Sequence, residues 1–254
     1  MEKMAVVGGG NLAWHLVAVL QKVGVEVALV ARDPASKQGW QVPVIAYAEL
    51  EVFGPDLVFL AVPDDAIGEV SLRLAELLGP AVPVVHTSGA TAIGRIADHF
   101  QFRGALWPIR SLRRGEVVDN WREVPLAYWA EDPGLRAALE RLCQRLSDTA
   151  YALDDGQRAQ LHLAAVFSNN FVTWLYQISY ELCAAKDIPF HTLLPIIQHT
   201  ALRQDGTPPR ITQTGAAARG DVATIQRHLE LLEGYPEYAA LYARISGLIG
   251  EGVR

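Results

Sequence analysis

Short, nearly continuous apolar runs alternate with helical patterns over residues 1–154, and then the alternation stops. The runs at 4–7, 25–31, 57–62, 82–86, 105–109, 125–130 and 150–153 predict strands covered on both faces. A weaker strand pattern at 42–46 contains Pro43, which has no N–H to give a ladder. Between the runs, 11–23, 65–78 and 133–146 carry helical spacing, with a shorter helix expected at 92–99. Strands and helices in alternation predict an α/β fold with a parallel, doubly wound sheet.

From Asp154-Asp155-Gly156 onward only helical spacing remains. Residues 157–185 read as one long helix, with Leu161, Ala165, Ser168, Phe171, Leu175, Ile178 and Leu182 on a three-four repeat. Further helices are expected at 189–202, 221–232 and 235–249. The expected organisation is therefore an α/β domain over residues 1–154 and an all-helical domain over 155–254.

The first strand pattern runs into Gly8-Gly9-Gly10 and then into a helix, giving Gly8-x-Gly10-x-x-Ala13. This is the Gly/Ala form of the Rossmann dinucleotide fingerprint. Gly8 allows a tight turn, Gly10 lets backbone approach a pyrophosphate, and Ala13 lets helix and strand pack closely. Asn11 and Leu12 open the helix, whose N-terminal N–H groups suit phosphate. About 20 residues after the glycines, an NAD site usually has an acidic residue. Here Ala31 and Arg32 hold that place, followed by Asp33, Ser36 and Lys37. A guanidinium suits a 2′-phosphate, so NADP(H) is expected in preference to NAD(H). The plainer alternative makes Arg32 a solvated strand-end residue and Asp33 the cap of the Pro34 turn.

Ligands of such sheets lie beyond the carboxyl ends of the strands at the switch point. Val62 and Pro63, at the exit of the third confident strand, are thus expected to border the nicotinamide. Asp64 or Asp65 is expected to cap the following helix. At the next exit stands His86-Thr87-Ser88-Gly89-Ala90. Ser88 either holds a substrate carbonyl or carboxylate or, with Thr87, satisfies the backbone of a turn while His86 packs.

Composition narrows the partners. Half the residues are hydrophobic, 20% are charged and the net charge is -6, with a pI near 5.6. That balance argues against nucleic acid or an anionic membrane as the main partner. No apolar run approaches the roughly 20 residues of a membrane span. The first strand pattern begins at once, so no signal peptide is expected and a cytoplasmic place is. Two cysteines, Cys143 and Cys183, fall in helical patterns without metal-ligand spacing, and no metal is expected.

Four blocks carry a resemblance: the Gly-Gly-Gly-Asn11-Leu-Ala-Trp14-His15 opening; His86-Thr-Ser-Gly-Ala90; His162-Leu-Ala-Ala-Val-Phe-Ser-Asn-Asn170-Phe171; and Thr214-Gly-Ala-Ala-Ala-Arg219-Gly-Asp221 with His228 and Leu229 after it. On these the chain resembles an uncharacterised Rossmann-like family with a C-terminal helical domain of unknown function. That family is distantly similar to pyrroline-carboxylate reductase and deazaflavin-dependent NADP oxidoreductases. The resemblance implies a nicotinamide-binding domain, a helical domain that pairs subunits into a homodimer, and oxidoreductase activity on a small molecule. Two departures stand out. Trp107 precedes Pro108 where the family often has histidine or tyrosine, and Ala216 follows Gly215 where proline is usual.

On a regular helix of 100° per residue, His162, Asn169, Thr173, Tyr176 and Tyr180 share one side, with Asn170 about 80° away from His162. Asn is unfavourable inside helices, so adjacent asparagines there need polar partners. The functional reading makes His162 the proton donor or acceptor and an Asn amide the substrate anchor. The resemblance favours Asn170 and helical geometry Asn169. The alternative ties helices together across a subunit interface. The expected function is an NADP(H)-dependent oxidoreductase moving hydride between the nicotinamide and a small carbonyl, imine or alcohol. An NADP(H)-binding sensor or scaffold without catalysis is the alternative, since the long helix lacks the lysine some related dehydrogenases use as base.

Overall fold

In the computed structural model, which describes residues 1–252, every expected apolar run forms a strand. These are β1 (Lys3–Val7), β2 (Glu26–Val30), β3 (Val44–Ile45), β4 (Leu57–Leu60), β5 (Val84–His86), β6 (Arg103–Pro108), β7 (Leu126–Ala130) and β8 (Ala150–Ala152). They join one eight-stranded sheet in the order β3-β2-β1-β4-β5-β6-β7-β8. The first six run parallel, whereas β7 is antiparallel to β6, and β8 is parallel to β7. The sheet is therefore mostly rather than wholly parallel. An antiparallel neighbour needs no helical crossover, and the chain between β6 and β7 forms only the single turn Trp121–Glu123.

The sheet unit also holds α1 (Asn11–Lys22), α2 (Leu50–Phe53), α3 (Ile67–Ala75), α4 (Pro133–Leu146) and α5 (Asp155–Ala165). The helix expected at 92–99 is instead a single 3₁₀ turn at Ile93–Arg95. Its backbone donors are claimed by side chains: Ile93 N–H by Asp155 at 3.0 Å and Ala97 N–H by Ser71 at 2.9 Å. Strand alternation divides the interior into two cores. Met4 and Val6 enter the core that also holds Leu16, Leu20 and Leu139, while Ala5 and Val7 enter the one with Leu50, Ile67 and Leu74. Each such buried Leu or Ile is worth about 1.5–3 kcal/mol relative to exposure.

The chain divides into two compact units, residues 1–169 and 170 onward. The change of residue pattern at 154 and this division do not coincide. The reason is Arg158, fully buried on α5 and bonded to the turn after β5. The second unit contains α6 (Val172–Ala184), α7 (Leu194–Leu202), α8 (Ala216–Arg219), α9 (Val222–Leu231) and α10 (Pro236–Gly252), with no strand among its described residues. Between α5 and α6 the helix continues as a π segment, Val166–Phe171. Among the described residues no helix is long and apolar enough to cross a membrane.

Candidate functional site

Strand register brings the functional loops to one edge. Val7 pairs with both Val30 and Leu60, and Leu60 pairs with His86, so the exits of β1, β2, β4 and β5 are level. The glycine loop leaves β1 between β2 and β4, the point where strand order reverses. A cavity of about 660 Å³ opens there, within the usual size of a small-molecule site.

Gly8, Gly10, Asn11, Leu12, Arg32, Val62 and Pro63 all line this cavity. Ala13 does not: it is fully buried, as its packing role requires. The glycines are glycine for different reasons. Gly8 has φ +120°, and a Cβ on it would lie 2.2 Å from the Ala61 carbonyl oxygen. Gly10 has φ -83° and ψ -171°, open to any residue, and a Cβ there would meet no atom within 4 Å. Neither backbone strain nor packing demands glycine at position 10. No side chain caps α1, and uncapped first-turn N–H groups are the donors a diphosphate uses. Asn11 turns elsewhere, its Oδ1 accepting from Arg114 N–H at 3.1 Å.

Arg32, Lys37 and Arg73 line the same cavity, with Asp33, Asp64 and Glu69. None of the three cations has an ion pair among the described residues. The Lys37 side chain lies across Gly9, its Nζ 3.0 Å from where a Cβ of Gly9 would stand. Ser36 is occupied, its Oγ donating to the Asp33 carbonyl at 2.8 Å. Two expected caps are absent. Asp33 precedes the Pro34–Ser36 turn without a side-chain bond, and neither Asp64 nor Asp65 caps α3, which a 3₁₀ turn at Asp64–Ala66 leads into. The 3₁₀ turn absorbs the entry, so both carboxylates stay exposed, Asp64 at the cavity.

The exit of β5 is tightly committed. Thr87 Oγ1 donates to the Leu60 carbonyl at 3.1 Å. Ser88 Oγ accepts from the N–H groups of Ala90 and Thr91 and donates to Thr91 Oγ1 at 3.0 Å. Ser88 and Thr87 thus hold the turn, and both line the cavity. His86 is fully buried, its Nδ1 accepting from Ser88 N–H at 3.2 Å. Burial, then the Arg158 charge, lowers the His86 imidazole to about 4, so it is neutral at ordinary pH.

Arg158, which the sequence pattern does not single out, anchors this turn. Its Nε donates to the Ser88 carbonyl at 3.2 Å and its Nη2 to the Thr91 carbonyl at 2.5 Å and Asp155 at 2.7 Å. One helical turn later, His162 stands against the same loop. Its ring centroid lies 5.4 Å from that of Trp107, and a Cβ on Gly89 would come within 2.6 Å of its Cδ2. Gly89 therefore makes room for His162 and Trp107 beside Ser88. His162 is half-buried, and so is Trp107, the residue at the family's point of departure.

The asparagines lie differently from the expectation. Regular helical geometry cannot relate His162 to positions beyond 165, because the π segment resets the register. Asn169 closes the sheet unit and Asn170 opens the helical unit, and both are exposed. Within the helical unit, Asp221 caps α9 through Thr224 N–H at 3.0 Å. The alanine after Gly215 does not disturb its turn. Ala216 is the first residue of α8, a position that accepts proline and other residues alike. His228 Nδ1 bonds Tyr242 Oη at 2.8 Å beside a second cavity of about 370 Å³ lined chiefly by apolar side chains.

Residues 124–249 match the model of a domain of unknown function, DUF2520. A search of curated proteins finds no match for the chain. Among solved structures, it is similar to a Bacteroides fragilis protein provisionally described as an NADP oxidoreductase, at 29% identity and TM-score 0.88, with 98% of each chain covered. It is similar in fold to an imine reductase from Myxococcus stipitatus in complex with NADP+, at 14% identity and TM-score 0.71, covering 99% of this chain and 94% of that one. A 1-pyrroline-5-carboxylate reductase from Streptococcus pyogenes aligns at 14% identity and TM-score 0.64, with 98% of each chain covered.

Proposed function

We propose that the chain is an NADP(H)-dependent oxidoreductase acting on a small carbonyl, imine or alcohol. The observation that carries the reading is Gly10, a glycine whose missing Cβ leaves open space at a helix N-terminus. Three unpaired cations on one cavity of a chain of net charge -6 add to it. Gly8, Gly10 and Leu12 receive the diphosphate, and Arg32 with Lys37 receives the 2′-phosphate. Val62 and Pro63 border the nicotinamide, which when bound supplies or accepts the hydride. His162, held between Gly89 and Trp107, exchanges the proton, and Ser88 shapes the substrate side. The description of the Bacteroides relative supports the oxidoreductase reading.

The helical domain is proposed to pair two copies of the chain. No residue of α6, α7, α9 or α10 is buried, and Trp174, Ile196 and Leu202 are 56%, 63% and 84% exposed. Apolar exposure on that scale marks an association surface. Light scattering on the purified chain is expected to give twice the mass of one chain.

Calorimetric titration tests the cofactor: NADPH is expected to bind, and NADH at least tenfold more weakly. Absence of binding by either nucleotide would end the redox reading. His162→Ala is expected to keep NADPH affinity and to lose turnover on a carbonyl and imine panel. Equal turnover by variant and parent would remove His162 from the chemistry.

A further inference from the structure

Arg73 differs from the other two cavity cations in what lies against it. Its guanidinium carbon is 4.3 Å from the centroid of the Tyr47 ring. Tyr47 is 8% exposed, packed into the core beside Leu50 just after β3. Burial raises its phenol, and the charges of Arg73 and then Arg32 oppose that rise. Arg73 has no hydrogen bond or ion pair among the described residues. Ala66, Glu69, Val70 and Arg73 follow the spacing of one helix face, and all four line the cavity.

A guanidinium is planar and delocalised, with two faces that stack and an edge that donates. Tyr47 covers one face of Arg73. Phosphate takes guanidinium edges and ammonium groups, and Arg32 with Lys37 already supplies those next to the glycine loop. A flat π-ring is the chemistry that fits the remaining face.

We propose that Arg73, backed by Tyr47, is the platform on which the adenine ring of the bound dinucleotide stacks, giving a three-layer Tyr47–Arg73–adenine pile. This rests on the dinucleotide reading above and adds a residue that sets affinity for the adenosine half. Glu69, one turn earlier, faces the same space and disfavours a phosphate there, which agrees with a ring rather than an anion on Arg73.

The test compares Arg73→Ala, Arg73→Lys and Arg32→Ala by calorimetry against NADPH, NADH, 2′,5′-ADP and reduced nicotinamide mononucleotide, which lacks adenine. Arg73→Ala is expected to weaken NADPH, NADH and 2′,5′-ADP by a common factor of about ten. The mononucleotide's affinity is expected to stay unchanged, which also shows that the variant is folded. Arg73→Lys keeps the charge without the plane and is expected to lose nearly as much. Arg32→Ala is expected to weaken NADPH and 2′,5′-ADP but leave NADH unaffected. The platform is overturned if Arg73→Ala spares 2′,5′-ADP, if it spares NADH while weakening NADPH, or if Arg73→Lys restores binding fully. Failure of the unaltered protein to bind NADPH would instead overturn the dinucleotide reading, and the platform with it.

Discussion

The sheet unit and the helical unit solve the same problem to different degrees. β1 buries Met4, Ala5, Val6 and Val7 completely, and two cores close over the sheet with side chains from its own unit. Among the described residues beyond 170, only Leu232, at 7% exposure, falls among the buried hydrophobic residues. A sheet face can be covered by helices that follow in the chain, whereas single helices arranged around an apolar cavity leave their outer apolar faces to another surface. The first unit therefore closes its own cores, whereas the described residues of the second leave large apolar side chains exposed.

The sharpest way to break this contrast is at the glycine loop. Gly8→Ala forces a Cβ onto a backbone oxygen at positive φ, and a loss above about 4 kcal/mol is expected, read as failure to fold or a collapsed melting temperature. Gly10→Ala is expected to leave stability within about 0.5 kcal/mol while NADPH affinity falls at least 100-fold. If Gly10→Ala binds like the parent, the open space is not a diphosphate seat.

Next comes Arg158→Met, which removes a buried cation from the Ser88 and Thr91 carbonyls and Asp155. A loss of about 3–5 kcal/mol is expected in urea unfolding, because the buried Ser88 carbonyl and the half-buried Thr91 carbonyl lose their charged donor. A cost under 1 kcal/mol would show that α5 is not held to the β5 turn in this way.

Acid acts on the sheet unit through His86. Its folded value, about 4, lies below that of an ordinary histidine, so the unfolded chain takes up the proton first. Stability from this residue is fully present above about pH 6.5 and is lost as pH falls toward 4, by roughly 3 kcal/mol in total. His86→Gln is expected to flatten that slope between pH 6.5 and 4; an unchanged slope would assign it to other groups.

The smallest change in folding is expected at the helical surface. Trp174→Lys with Ile196→Lys touches exposed side chains, so the stability of the sheet unit is expected to shift by under 0.5 kcal/mol. The same pair is expected to convert the proposed dimer to single chains in sedimentation. A dimer that survives it would place the contact elsewhere.

Local pattern carried much of this protein. Apolar runs alternating with three-four spacing are properties of adjacent residues, so every strand position and the helix at Pro133–Leu146 could be read from the chain alone. Glycines between strand and helix likewise announced the loop that lines the cavity. Direction was not legible in the same way: β7 runs opposite to β6 because the connection lacks a crossover helix. Arg158 gives no local signal either, since its carbonyl partners lie 67 and 70 residues away. The seating of Lys37 across Gly9 and of Arg73 on Tyr47 also arises only when distant segments meet. So does the commitment of the Ser88 hydroxyl to Thr91, which the residue type left open. The π segment shifted the face that carries the asparagines, because one change of helical pitch rotates everything after it. Sequence determined which elements form and where the glycine loop stands, through interactions between near neighbours. Tertiary structure decided which side chains remain free for a ligand, because that depends on hydrogen bonds and space contributed from elsewhere in the chain.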